Sequence, residues 1–126
     1  MRLPLYLSAA LLLLLAGCKK DDDPTPDYVF GRAWYNTYQA GEDGATVFSP
    51  TNPNMAWRYD GFRLNADGSF LEYGLDALDR PEERPGTWQS EGGQTYRITF
   101  RTPTRKGYVL RITKPANDQL QARRDQ

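Results

Sequence analysis

The sequence predicts an all-β protein, an antiparallel up-and-down meander of about seven or eight strands that closes into a small barrel. Eight Tyr, five Phe and three Trp are present in 126 residues, and aromatic side chains favour pleated sheets. Apolar and polar residues alternate in several segments that short turn sequences separate. No apolar pattern keeps a period of 3.6 residues long enough to predict a helix. Because an open meander leaves two unpaired edges, closure into a barrel or strong curling of the sheet is expected.

The first strand is expected around residues 29–37, in an aromatic-rich segment. Residues 40–54 contain two glycines and two prolines and are expected to form a long loop with at most one short strand, over residues 46–48. Loops of this length are often functional or mobile.

The clearest hairpin is predicted over residues 58–73. Alternate residues from 60 to 64 share one face, and the turn 65–68 reads Asn-Ala-Asp-Gly, a composition that tolerates turn conformations. A strand pattern then resumes. Phe62, Leu64 and Phe70 are its predicted core side chains.

Residues 76–85 are charged and contain two prolines, which predicts a loop. A strand is expected over residues 86–90 with Trp88 facing inward, and Gly92 and Gly93 then reverse the chain. Three further strands follow from period-two alternation. Their predicted inward side chains are Tyr96, Ile98 and Phe100, then Tyr108, Leu110 and Ile112, and finally Leu120 and Ala122.

Residues 1–17 are predicted to be a signal peptide that is cleaved. Arg2 precedes an apolar run over residues 7–16 that contains five consecutive leucines, and small residues follow at Ala16 and Gly17. The run is short for a transmembrane helix, which needs about 20 apolar residues to cross about 30 Å of hydrocarbon.

Leu15, Ala16, Gly17 and Cys18 resemble the lipobox of bacterial lipoproteins, and Cys18 is the only cysteine. The resemblance implies cleavage before Cys18, a diacylglyceryl group on its thiol and an amide-linked acyl chain such as palmitate. Two or more chains anchor a protein far more firmly than one. The alternative is an ordinary secretory signal with a chance cysteine.

Residues 18–27 are expected to form the lipidated N-terminus and a flexible tether. The charged tract at residues 19–23, Lys-Lys-Asp-Asp-Asp, is similar to the tract after the acylated cysteine in many surface-exported Gram-negative lipoproteins. Lys19 stands where an inner-membrane retention signal would usually have Asp. The resemblance implies a lipid anchor in the outer membrane, on either the periplasmic or the cell-surface side.

Residues 28–126 are expected to form one domain. The segment 62–70, the Gly-Thr-Trp at residues 86–88 and the alternating strands that follow resemble the lipocalin-like domains of small bacterial lipoproteins. The resemblance implies a barrel that binds a ligand. Gly31-Arg32-Ala33-Trp34 is one residue longer than the Gly-x-Trp of lipocalins. The resemblance to lipocalins implies that Trp34 closes the barrel floor, with Arg123 or Arg124 stacked on it.

Catalysis is not expected. The chain has no histidine, which removes the commonest general base and metal ligand, and its single cysteine is assigned to the lipid. We therefore expect no enzyme, no metal site and no cofactor beyond the covalent lipid on Cys18. Sixteen basic residues balance sixteen acidic ones, so no nucleic-acid partner is indicated.

Two charged clusters leave alternatives open. An acidic set could supply a catalytic acid and base or be a solvated loop: Asp76, Asp79, Glu82 and Glu83. A basic set could meet acidic glycans and lipid headgroups or form cross-strand pairs: Arg97, Arg101, Arg105, Lys106 and Arg111.

The function expected from the sequence is a non-enzymatic, membrane-anchored lipoprotein with a lipocalin-like binding domain. Its ligand is a small apolar or amphipathic molecule or another envelope component, and no ligand-binding residue or oligomeric state is assigned. The alternative is a protein-interaction module, an inhibitor or an accessory subunit of an envelope complex, which presents residues 40–54 or 76–85.

Overall fold

A computed structural model describes residues 23–53 and 58–126. In this part of the chain eight antiparallel strands close into one small barrel, so the predicted fold class is confirmed. A 3₁₀ turn, Asp27–Val29, precedes the first strand. The strands are β1 (Trp34–Ala40), β2 (Thr46–Ser49), β3 (Gly61–Leu64), β4 (Ser69–Leu75), β5 (Pro81–Ser90), β6 (Thr95–Phe100), β7 (Tyr108–Lys114) and β8 (Leu120–Asp125).

The predicted signal peptide and Cys18 lie outside the described residues. Within the described ranges, the structure has no helix with the length and apolarity needed to span a membrane.

Strands β3 to β8 follow one another around the barrel, as a meander requires, but the first hairpin is placed differently. The order around the barrel is β1-β2-β8-β7-β6-β5-β4-β3, so β1 lies between β2 and β3. Ser49 at the end of β2 and Gly61 at the start of β3 both pair with Tyr35 of β1. The connection between β2 and β3 therefore starts and ends beside the same residue of β1, on opposite sides of that strand.

Strand β2 closes the barrel. The short strand considered over residues 46–48 is Thr46–Ser49, and it pairs with β1 on one side and β8 on the other. Its Phe48 is buried and lies opposite Leu120, which is also buried. A segment with a weak local signal is thus held in place by pairing with two neighbours that are distant in sequence.

The loop predicted over residues 76–85 is only partly a loop. Residues 81–85 belong to β5, which pairs with β4 from Leu75–Pro81 to Ser69–Thr87. The prediction was wrong there because the charged and proline residues that suggested a loop have cross-strand partners. Arg84, for example, lies directly opposite Glu72.

Alternation along the strands fills the barrel with apolar side chains, as predicted. Phe62, Leu64 and Phe70 are buried, and so are the alternate residues of β6 and the first part of β7. Burial of such side chains is the dominant stabilising contribution in a small domain without a disulfide. The largest fully buried side chains are Trp34, Phe48, Phe62, Phe70, Leu64, Ile98, Leu110, Leu120 and Val29.

The N-terminal segment closes one end of the barrel. Val29 is buried, and its carbonyl accepts a hydrogen bond of 2.9 Å from the indole Nε1 of Trp34. Phe30 packs against Trp88 and Tyr96, and the Thr25 hydroxyl bonds to that of Tyr96. Within the described residues, packing onto the barrel therefore begins at Thr25.

Successive turns of an antiparallel barrel lie at alternate ends. The connections are therefore divided between two ends, which we call the floor and the mouth. The floor is the end that contains residues 25–33 and the turns 65–68, 91–94 and 115–119. The mouth contains the connections 41–45, 76–80 and 101–107.

Trp34 lies at the floor, as the resemblance implied, but a different basic residue covers it. The Arg32 guanidinium lies 4.7 Å from the centre of the Trp34 ring. Arg124 lies instead over Phe48 and Tyr108. The expected stacking of Arg123 or Arg124 on Trp34 was wrong, because the inward face of β8 directs Arg124 toward the mouth and Asp60.

Candidate functional site: charged residues at the barrel mouth

Charged side chains face the barrel interior near the mouth. The mouth cluster consists of Asp60, Glu72, Arg84, Arg105, Tyr108 and Arg124. Period-two alternation places several of them there. Glu72 follows the core residue Phe70 by two positions, and Arg124 continues the inward face that begins at Leu120. The apolar core thus ends in a layer of ion pairs.

Glu72 is the centre of the cluster and is 3% exposed. Its Oε1 accepts a hydrogen bond of 2.8 Å from Arg84 Nη1 and another from Arg105 Nη2. Its Oε2 accepts a hydrogen bond of 2.8 Å from the Tyr108 hydroxyl. A buried carboxylate needs such partners because burial without them is strongly unfavourable.

Arg84 is held at several of its donor atoms. Besides Glu72, its Nε donates to Glu82 at 2.9 Å and its Nη2 donates to the carbonyl of Leu75 at 3.0 Å. Arg105 comes from the 101–107 connection and is more exposed, with 40% of its side chain accessible against 20% for Arg84. Arg84 therefore stabilises the barrel through its contacts within the protein, whereas Arg105 is also accessible to solvent.

Asp60 and Arg124 form a second ion pair beside the first. Arg124 Nη1 and Nη2 lie 3.2 and 2.8 Å from the two carboxylate oxygens of Asp60, a bidentate geometry that orients both groups. Asn36 Nδ2 donates to Asp60 at 2.9 Å. Because the Arg124 guanidinium also lies 5.9 Å from the Tyr108 ring centre, Tyr108 links the two pairs.

Tyr108, which is buried, and Tyr59, which is partly buried, have raised pKa values. Burial raises the pKa of Tyr108, the Arg124 charge opposes the rise, and Glu72 adds to it. Burial, with Tyr35 and Tyr73 as neighbours, raises the pKa of Tyr59 to about 12. In both cases the folded state favours the neutral phenol.

This predicts a loss of stability at alkaline pH. An unfolded tyrosine ionises near pH 10, so the contribution of Tyr59 is fully present below about pH 10 and is lost as the pH rises through about 12. Urea unfolding between pH 9 and 12 should show a fall in unfolding free energy that is smaller in Tyr59→Phe. An equal fall in this variant and in the original protein would contradict the prediction.

The acidic cluster considered from the sequence does not assemble as a site. Asp76 closes the β4–β5 turn, since its Oδ1 accepts from the backbone N–H of Leu78 at 2.8 Å and of Arg80 at 3.0 Å. Glu82 pairs with Arg84. Among the described residues, no group of three or more His, Cys, Asp or Glu side chains lies close enough together to hold a metal ion.

The basic set is divided between different roles. Arg97 pairs with Glu91 at 2.7 Å and Arg111 pairs with Asp125 at 3.0 Å on the outer surface. Arg105 turns inward to Glu72. Cross-strand and local pairing thus accounts for these three members of the predicted patch.

Two clefts flank the 101–107 connection at the mouth. One, of about 350 Å³, opens between Arg84, Pro85, Phe100 and Arg105. The other, of about 440 Å³, opens between β6 and β7 beside Phe100, Arg105 and Lys106. Core side chains fill the barrel below. Two further clefts lie at the same end of the barrel, one of about 430 Å³ beside the 41–45 connection and one of about 260 Å³ between Phe48 and Arg124.

The sequence reasoning did not identify the mouth cluster as a site. A usable signal existed, because Glu72 and Asp60 each occupy the same face of a predicted strand as buried apolar residues. A charged residue on an inward face requires a partner. The partners Arg84, Arg105 and Arg124 come from other strands and could not be assigned without the fold.

No protein-family model matches the chain, and neither a curated protein nor a solved structure matches it significantly. The functional conclusion is therefore drawn from the residues and geometry of the barrel.

Proposed function

We propose that this chain is a lipid-anchored lipoprotein of the outer membrane whose barrel is a non-enzymatic, lipocalin-like binding domain with its binding end at the mouth. The observation that carries the proposal is the contrast between the two ends. The floor is covered by the N-terminal segment and filled by the core, whereas the mouth combines charged side chains with several clefts.

The proposed anchor gives the barrel an orientation. Thr25 packs at the floor through Tyr96, and even a fully extended chain from Cys18 to Thr25 spans at most about 25 Å. Acylated Cys18 therefore keeps the floor close to the membrane. The mouth is directed away from the lipid, toward soluble ligands or other envelope components.

The Cys18→Ala variant tests the anchor. We expect it to lose labelling by radioactive palmitate and co-sedimentation with membranes, because the thiol that carries the lipid is gone. Ser8→Ala, which changes the predicted leader outside residues 15–18, should keep both. A Cys18→Ala protein that still takes up label and sediments with membranes would show that the anchoring proposal is wrong.

A second candidate function, a protein-interaction module, is favoured by the β4–β5 turn. Leu78 at its tip is 70% exposed, and the hydrogen bonds to Asp76 hold the turn in one conformation. An apolar side chain presented in this way suits insertion into a partner's pocket.

A photo-crosslinking amino acid at position 78 tests this alternative in intact cells. One discrete adduct that forms from position 78, and does not form when the same amino acid replaces the exposed Asp118 at the floor, would support it. The absence of a discrete adduct, with the urea midpoint unchanged, would count against it.

A further inference from the structure

Strands β6 and β7 separate near the mouth. They pair from Thr95–Arg111 to Ile98–Tyr108, and β6 then continues to Phe100 along β5 alone. Gly107 lies directly against the Ile98 carbonyl, at a distance that a Cβ atom would not allow. The two strands are therefore close together at their last pair, Ile98–Tyr108, and diverge on the mouth side of this pair. We call this divergence the fork. The fork cleft is the space of about 440 Å³ at this position.

The fork cleft has one apolar and one cationic side. Phe100, Tyr108 and Val109 contribute apolar surface, while Arg105 and Lys106 contribute positive charge. None of the described residues that line it is Asp or Glu. Its volume lies within the range of small-molecule sites, about 300–1,000 Å³.

The positive charge of the fork cleft is incompletely neutralised. Lys106, like the nearby Arg101, makes no ion pair with another described residue. Arg105 pairs with Glu72 but keeps 40% of its side chain exposed, and its guanidinium lies 5.0 Å from the Phe100 ring centre. A cation therefore stands at the junction between the apolar wall and solvent.

We propose that the fork cleft binds an amphipathic anion, an acyl or alkyl chain with a carboxylate or phosphate group. The acid group pairs with Arg105 and Lys106, and the chain lies along Phe100, Tyr108 and Val109. Arg105 is positioned for this by Glu72, which engages its Nη2, while the Arg105 side chain also lines the cleft. The inference rests on the proposed binding function and names its ligand class.

The test uses the predicted mature chain, residues 18–126 carrying Cys18→Ala, so that neither an acyl chain nor the apolar leader requires a detergent that would compete for the cleft. Dodecyl phosphate and dodecanoate, below their micelle concentrations, are titrated calorimetrically beside inorganic phosphate and dodecanol. Sedimentation with phosphatidylglycerol vesicles distinguishes a lipid headgroup in a bilayer from a free amphiphile. Both sources present the same chemistry, so binding of either supports the site.

We expect Arg105→Gln/Lys106→Gln to weaken binding of dodecyl phosphate by about tenfold or more, because two charge-assisted contacts are lost. Arg111→Gln/Lys114→Gln removes the same charge outside the cleft and should change the affinity by less than about twofold. Lys106→Glu leaves the Glu72–Arg105 pair intact and should also weaken binding, which separates ligand contact from damage to the fold.

Three results would overturn the inference: no binding of either amphiphile, equal weakening in the control variant, or inorganic phosphate binding as tightly as dodecyl phosphate. If dodecanol binds as tightly as dodecyl phosphate and neither double variant changes either affinity, the anionic ligand class is wrong while the proposed binding function stands. If Cys18→Ala retains its lipid but the fork cleft binds dodecyl phosphate as expected, the anchor alone fails.

Discussion

Trp34→Ala should lower the free energy of unfolding by about 3–5 kcal/mol, the usual cost of removing a fully buried tryptophan. Trp34 is 0% exposed and holds the N-terminal segment through the hydrogen bond to the Val29 carbonyl. The substitution opens a cavity at the floor and releases the segment that covers it. Urea denaturation followed by circular dichroism measures the change.

Two companion variants separate the causes. Trp34→Phe keeps part of the ring volume but loses the indole N–H, so it should cost less than Trp34→Ala and report the combined cost of the lost hydrogen bond and a smaller cavity. Leu78→Ala removes an exposed side chain and should change stability by less than about 0.5 kcal/mol. If Trp34→Ala were no more destabilising than Leu78→Ala, Trp34 would not be the main support of the floor.

Glu72→Ala should lower the unfolding free energy by about 2–4 kcal/mol. The variant leaves Arg84 and Arg105 without their shared carboxylate and the Tyr108 hydroxyl without its acceptor. The expected loss is below that of a completely buried ion pair because the Arg84 and Arg105 side chains remain 20% and 40% exposed. Water can therefore solvate part of the released charge.

Glu82→Ala is the matched control for Glu72→Ala. Glu82 also pairs with Arg84, but its side chain is 43% exposed, so its removal should cost about 1 kcal/mol or less. Equal losses in the two variants would mean that the mouth cluster gives no special support to the barrel. Glu72→Gln should lie between them, because an amide keeps the shape but loses the charge.

The strands of the second half of the chain were predictable because their information is local. Tyr96, Ile98 and Phe100 alternate with polar residues, and the structure buries these three side chains. The turn at residues 65–68 also forms where its composition predicts it. Period-two alternation and turn chemistry depend only on near neighbours, so they can be read without a fold.

The placement of β1 and β2 was not predictable in this way. A meander would place β2 next to β3, whereas β1 lies between them and β2 pairs with β8. The short β2 is stabilised by contacts such as Phe48–Leu120, which join positions far apart in the chain. Arg32 rather than Arg124 on Trp34 is a consequence of the same packing.

The sequence by itself determined the alternation that makes the protein all-β, the core side chains of the hairpin 58–73 and of the last three strands, and the turn at residues 65–68. It also predicts acylation of Cys18. Only the tertiary structure decided the strand order and the meeting of Glu72 with Arg84, Arg105 and Tyr108. The physical reason is that barrel closure and ion pairing depend on groups from distant segments, and their positions follow from how all eight strands pack together.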